Sequence, residues 1–302
     1  CGEVMKCPHC DVSLSEHKGG RLICHYCGYT QPMPKLCPKC GSKYILGFKA
    51  GTQQIEEKLK ELYPGVRTLR MDADTTRTKD SYEKILSSFA NGEADVLIGT
   101  QMIVKGHDFP KVTLVGILAA DLSLNASDYR AGERTFQLLT QAVGRAGRGV
   151  LPGEAVIQTY QPDHYAITCA AAQDYESFYQ EEILYRELSG YPPVAHMLAV
   201  QIYGKEEENV KQLALRLTDV VKSNMDFLSG KQKEQSNKKI QVLGPAPANI
   251  SKINDIYRYV FYVKHAEYDV LVEVKDRLEE TLRQWQPRQM SIQFDFDPVS
   301  VL

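Results

Sequence analysis

The stretch VLIGTQMIVKGHDFPKVTLVGILAAD, residues 96–121, decides how this chain is read. Two apolar runs rich in Val, Ile and Leu flank a polar turn. Their hydrophobicity is continuous rather than alternating, which predicts strands buried on both faces of a parallel sheet. "YILGF" from Tyr44, "VRTLRM" from Val66 and "EAVIQTY" from Glu154 have the same character, and helical stretches near residues 53–63, 79–91 and 130–146 fall between them. In such α/β sheets ligand chemistry gathers at the carboxyl ends of the strands. The turns to inspect are therefore GTQMIVKGHDFP, ADLSLNASDYRAGER and LLTQAVGRAGRG, residues 138–149. The last sets Arg145 and Arg148 three apart beyond an apolar helix, a pair suited to a polyanion such as a nucleoside triphosphate. Yet no G-x-x-x-x-G-K-[ST] phosphate loop occurs anywhere in the sequence.

The 302 residues are enough for two or three domains, and the 43% hydrophobic and 25% charged fractions are those of a soluble globular protein. A net charge of −2 excludes a global basic field, so any nucleic-acid binding must come from local patches. No apolar run approaches the ~18–20 residues of a membrane span. The chain opens on Cys1 with no signal peptide and is expected to be a piece of something longer, working in the cytoplasm as a monomer.

Seven of the eight cysteines lie within residues 1–40, leaving Cys169 alone among alanines as a core residue. Such lopsided usage favours a metal site over a disulfide framework. Three C-x-x-C pairs are complete: Cys7 with Cys10, Cys24 with Cys27, and Cys37 with Cys40. Two-residue spacing lets both thiolates of a pair reach one ion, and Gly28 and Gly41 relieve the backbone just after two of the pairs. Three pairs leave one pair short of a partner; Cys1 is a seventh ligand and implies an eighth just upstream. Two zinc ions, each held by four cysteines, then fit, with an iron–sulfur cluster as the rival. His9, His17 and His25 could substitute as ligands but read as surface residues. Residues 1–49 carry seven basic side chains against three acids, which suits nucleic acid or an acidic partner as well as it suits a solvated face.

Taken together, the 96–121 stretch and LLTQAVGRAGRG resemble motifs V and VI of superfamily 2 helicases. The order of paired cysteines, then GTQQIEEKL, then IGTQMIVKGHDFP is closer still to the PriA family of bacterial primosomal replication-restart helicases. The resemblance covers essentially the whole chain. It implies a RecA-like second lobe, ATP in a cleft against a first lobe, and a phosphate loop and Mg2+-binding acids on that other lobe. On this resemblance Arg145 and Arg148 contact the triphosphate, with Arg148 the arginine finger, and Gln141 helps place the cleft groups. Gly106 and Asp108 lie in the turn that couples nucleotide to DNA, and Thr100, Gln101 and Lys105 are candidates for the DNA backbone. The cysteines would divide as Cys7, Cys10, Cys24 and Cys27 on one zinc, and Cys1, Cys37, Cys40 and an upstream ligand on the other. Alone, the chain should not hydrolyse ATP. The implied activity of the intact protein is 3′-to-5′ unwinding of branched DNA at stalled forks. The implied partners are branched and single-stranded DNA, other primosome proteins, the loader of the replicative helicase and single-stranded-DNA-binding protein. The competing reading is a non-motor zinc-ribbon nucleic-acid-binding protein with a degenerate helicase lobe.

Residues 164–188 read as one long helix, on which Tyr175, Phe178, Tyr179 and Tyr185 form a packing seam rather than a base-stacking stripe. After Pro193 the order is strand, helix, strand, strand, helix, strand, the βαββαβ of a ferredoxin-like split unit with one sheet face open. From Gly230 to Lys264 seven basic residues stand against two acids. Lys252 and Arg258, interleaved with Tyr257 and Tyr259, could pair phosphate contacts with base stacking. In the PriA family the last domain binds DNA, which favours that use. The organisation expected is a zinc ribbon at 1–43, the helicase lobe at 44–163, a linking helix at 164–193 and a DNA-binding domain at 194–302.

Overall fold

The computed structural model describes residues 5–17, 20–43, 51–72, 75–76, 79–104, 109–126, 128–149, 151–223 and 239–299. The chain divides into two units. One comprises residues 46–126 and 130–181. The other joins residues 1–45 and 127–129 to 182–302, so the cysteine-rich segment and the C-terminal domain fall in the same unit.

The first unit carries the α/β pattern. Helices α1 (Thr52–Leu62), α2 (Lys79–Ala90) and α4 (Ala131–Val143) fall where the sequence periodicity places them. Strand β4 (Thr68–Met71) pairs in parallel with β5 (Val96–Gly99), and β6 (Leu114–Ile117) in parallel with β7 (Glu154–Ile157). Among the described residues these are two separate ladders, and the expected strand Tyr44–Phe48 lies outside them. The β6–β7 pair is not covered on both faces as its apolar composition predicts: Leu114 is 62% and Val156 51% exposed. Its other face packs on α4, where Phe136 and Leu139 meet Ile117, Ile157 and Ala120. A short helix α3 (Asp121–Leu124) follows β6. Buried Asp121 accepts hydrogen bonds from the Thr159 hydroxyl (2.7 Å) and the Tyr160 amide, which hold its carboxyl below the usual range.

The single long helix expected over 164–188 is two helices, α5 (Tyr165–Ala172) and α6 (Tyr175–Ser189). Gln173 takes a left-handed conformation (φ 55°) that closes α5. Asp174 then caps α6, accepting from the Ser177 amide at 3.0 Å and hydroxyl at 2.6 Å. The break follows from Asp and Ser competing for backbone amides. The expected tyrosine seam is likewise corrected. The buried stripe of α6 is Phe178, Glu182 and Arg186, spaced by four, whereas Tyr175, Tyr179 and Tyr185 are 62%, 47% and 44% exposed. Cys169 packs beside the Phe136 cluster, a core role.

In the second unit, three short antiparallel strands β1 (Ser15–His17), β2 (Arg21–Ile23) and β3 (Thr30–Pro32) form the ribbon. The C-terminal domain runs β8 (His196–Gly204), α7 (Glu207–Ser223), β9 (Gln241–Ile253), β10 (Ile256–His265), α8 (Tyr268–Trp285) and β11 (Met290–Phe296). Its strands stand in the order β11-β8-β10-β9, all antiparallel. On α7 the buried residues Val210, Leu213, Ala214, Leu217 and Val221 recur at helical spacing, and Leu271, Val274 and Leu278 do so on α8. Both stripes cover one sheet face with Leu198, Val200, Ile202, Phe261 and Val263. Each such Leu or Val stabilises by roughly 1.5–3 kcal/mol.

The C-terminal half of α6 carries a buried ion pair between residues four apart. The Arg186 guanidinium donates to Glu182 Oε1 from Nε (2.8 Å) and Nη2 (2.5 Å), and to the Pro192 carbonyl from Nη1 (2.7 Å). Arg186→Ala would take its guanidinium bonds from the Glu182 carboxylate, 7% exposed, so a loss of about 3–5 kcal/mol is expected. Urea unfolding followed by circular dichroism measures it. A loss under about 1 kcal/mol would contradict a structural role for the pair.

Candidate functional site

Two arrangements carry chemistry. In the α/β unit, α4 ends at Gly144 and the chain turns through Arg145 to Gly149. Arg145 Nη2 donates to the Val104 carbonyl at 2.6 Å, and Val104 closes the 3-10 turn Gln101–Val104 that follows β5. The residues after that turn are tied to the same place by backbone. The Gly147 amide donates to the Val112 carbonyl at 3.0 Å. A Cβ on Gly149 would lie 2.1 Å from the Pro110 oxygen, and one on Gly153 would lie 2.0 Å from the Gly147 nitrogen. These glycines therefore let three loops meet backbone to backbone. Arg148 is exposed, its Nε donating to the Gly144 carbonyl at 2.6 Å. Gln141 sits exposed on α4, and Thr100 and Gln101 are exposed at the end of β5. Lys105, Gly106 and Asp108 lie outside the described residues. Val104, whose carbonyl anchors Arg145, carried no signal in the sequence because its contribution is main-chain.

The second arrangement is in the ribbon. The sulfurs of Cys7, Cys10, Cys24 and Cys27 all lie within 4.8 Å of one another, with Cys7 and Cys27 at 3.6 Å. Four thiolates around a tetrahedral zinc stand about 3.8 Å apart, for Zn–S bonds of about 2.3 Å. The donor set therefore fits the ion. Its loops have matching geometry. The Cys24 amide donates to the Tyr29 carbonyl and the Gly28 amide to the Cys24 carbonyl; Cys37 repeats this with Ser42 and Gly41. Gly28 (φ 76°) and Gly41 (φ 68°) occupy the left-handed region these turns require.

Electrostatics explains why four thiols need a cation here. Burial, together with crowding by Cys24 and Cys27, pushes the Cys10 thiol up to about 12 despite the Asn254 amide. Cys7 is also raised, first by burial. Burial acts on Cys24 in the same sense, but amides of Cys27 and Tyr26 and the neighbouring sulfurs bring it down to about 7. A metal ion replaces these protons and relieves the crowding. Cys37 is buried and Cys40 exposed, while Cys1 lies outside the described residues.

The basic strand of the C-terminal domain reads differently in the structure. Tyr259 is only 8% exposed and belongs to the core, because odd-numbered residues of β10 face the helices. It is not a stacking platform. Lys252 Nζ donates to the Pro8 carbonyl at 2.9 Å and lies 5.6 Å from the Tyr257 ring, so it serves the ribbon. Arg258 faces the opposite side of the sheet, 5.6 Å from the Tyr203 ring.

Three family models match the chain: the PriA DNA helicase Cys-rich region at residues 7–32, the helicase conserved C-terminal domain at 36–150, and the primosomal protein N C-terminal domain at 187–299. The "Replication restart protein PriA" of Bacillus subtilis is 42% identical over 304 residues, spanning 100% of this chain. The chain belongs to the PriA family. Its similarity to the PriA proteins of Synechocystis (39% over 306 residues) and Borreliella burgdorferi (34% over 305 residues) also runs its full length. It spans 36%, 35% and 44% of these three proteins. The matched Cys-rich region contains the four clustered cysteines, and the matched helicase domain contains the arginine turn. Among the described residues no helix is long and apolar enough to cross a membrane.

Proposed function

We infer that this chain is the second motor lobe, zinc ribbon and DNA-gripping domain of a replication-restart helicase. The observation carrying the reading is the bond from Arg145 to the Val104 carbonyl, which joins the arginine turn to the loop leading into Lys105, Gly106 and Asp108. Helicases of this class convert nucleotide state into a shift on DNA through such a joint. ATP with Mg2+ binds on the preceding lobe, and Arg148 reaches across to the triphosphate as the finger, with Gln141 and Arg145 ordering the cleft. Thr100, Gln101 and Lys105 contact the DNA backbone.

In the ribbon, Cys7, Cys10, Cys24 and Cys27 hold one zinc. Cys37, Cys40 and Cys1 with one further ligand hold a second, a reading supported by the matching turns at Cys24 and Cys37. The C-terminal domain, whose strand order suits a ferredoxin-like split unit, grips DNA through Arg258. The intact protein would act in the cytoplasm as a monomer, unwinding branched DNA 3′ to 5′. It would engage single-stranded-DNA-binding protein, primosome proteins and the replicative helicase loader, with the ribbon serving partner contact and strand separation.

ATP hydrolysis by the intact protein, with no DNA, linear single strands or forked DNA, tests the reading. Strong stimulation by forks is expected. No hydrolysis with any DNA would instead favour the non-motor zinc-ribbon binding module.

A further inference from the structure

Strands β9 and β10 are joined by a two-residue loop, Asn254–Asp255, whose φ angles of 50° and 60° are both positive. This is the type I′ pattern, in which Asn and Asp tolerate the left-handed region. The loop lies against the Cys7–Cys10 turn of the ribbon. Its Asn254 amide donates to Cys10 Sγ at 3.2 Å, and its Asp255 amide to the His9 carbonyl at 2.9 Å. In return the Asp11 amide donates to the Lys252 carbonyl at 2.9 Å. Side chains close the contact: His9 Nδ1 meets Asp255 Oδ2 at 2.7 Å, the Ser251 hydroxyl donates to Asp11 Oδ2 at 2.9 Å, and Lys252 Nζ bonds the Pro8 carbonyl. Ile253 packs on the small apolar cluster that includes Cys7, Cys10, Leu14 and Leu22. Each residue from Pro8 to Asp11 is therefore touched by the hairpin.

We propose that the Asn254–Asp255 turn is the outer shell of the four-cysteine centre, so that metal loading and docking of the C-terminal domain on the ribbon stabilise each other. This rests on the reading that these four cysteines hold zinc. A neutral thiol is a weak acceptor, whereas a metal-bound thiolate carries charge, so the Asn254 amide bonds the loaded centre more strongly than the empty one. The backbone groups of Pro8, His9 and Asp11 face the hairpin only in the turn that the ion imposes on Cys7 and Cys10. Linkage makes the effect reciprocal: whatever the metal gives to docking, docking gives back to metal affinity. Lys252 belongs to this contact.

The test uses the full chain with two readouts. Asp255→Gly together with Ser251→Ala keeps the left-handed turn while deleting the side-chain bonds to His9 and Asp11. Zinc transfer to a chromophoric chelator should quicken about 10-fold or more, the usual effect of removing outer-shell partners. In the unsubstituted chain, hydrogen exchange at the Asn254 and Asp255 amides should accelerate at least about 10-fold when zinc is chelated, while strands β8 and β11 stay protected. Equal zinc-transfer rates in the two chains, or equal protection of Asn254 with and without zinc, would overturn the proposal. Absence of zinc from the purified chain by mass spectrometry would instead remove the metal reading on which it stands.

Discussion

ATP turnover by the intact protein should fall about 10³-fold or more when Arg148 is replaced by alanine, while its affinity for DNA stays within a few-fold of wild type. The two arginines of the turn are placed for different work. Arg145 is half-buried and spends a donor on the Val104 carbonyl, so its alanine variant loosens the joint between two loops as well as removing a charge. Arg148 is exposed, and its Nε donates to the Gly144 carbonyl of its own turn. A long, exposed side chain can exchange a main-chain carbonyl for a phosphate oxygen. A triphosphate is the stronger partner, because both groups are charged and the guanidinium fork matches two phosphate oxygens. Its transition state gains most, since charge spreads over the equatorial oxygens just as the arginine meets them. Arg148→Lys should recover only a fraction of the rate. Single-turnover hydrolysis with forked DNA measures the effect. Normal turnover in Arg148→Ala would pass the finger role to Arg145 or abolish it.

How far the sequence could be read depended on whether a feature is local. Helices α1, α2 and α4 follow from hydrophobic periodicity and fall within a few residues of the expected limits, and the strand–helix order of the C-terminal domain is the expected one. The Cys7–Cys27 cluster was legible because C-x-x-C spacing is itself a geometric statement. The break at Gln173 was hidden by an alanine-rich run of high helix propensity; only the cap at Asp174 reveals it. Tyr259 was misread because alternation along β10 shows that its residues occupy two faces but not which face meets the helices. The β8–β10 register settles that, setting Arg258 opposite Tyr203 on the face away from the helices, where Met197, Ala199 and Val260 are buried rather than open as expected. The ribbon contact of Lys252 was not legible for another reason. Its partner is a main-chain carbonyl 244 residues away, and no pattern in one sequence reports such a contact.

Cys24→Ser should cost the chain one zinc and unfold the ribbon while the α/β unit keeps its fold. Apart from the hairpin contacts at Asn254–Asp255, the ribbon has little else to hold it. Its buried cluster is Leu14, Leu22 and three of the cysteines themselves, and its strands are three residues each. Structural zinc contributes on the order of 10–16 kcal/mol of apparent binding energy at neutral pH, far more than two leucines supply. A serine hydroxyl ionises too weakly to replace the thiolate, and Cys24 is the fully buried member of the set. Mass spectrometry under native conditions would count the metal, and exchange at the Cys24 and Gly28 amides, which bond Tyr29 and Cys24, would report the fold locally. Cys169→Ser is the matched control, because Cys169 packs with Ala166 and Ile167 in the other unit and should change neither reading. Unchanged metal content in Cys24→Ser would sink the four-cysteine assignment. Loss of zinc with the ribbon still folded would show that the hairpin at Asn254–Asp255 holds it without the ion, and the metal would then be a passenger on a ribbon that folds by its contacts alone.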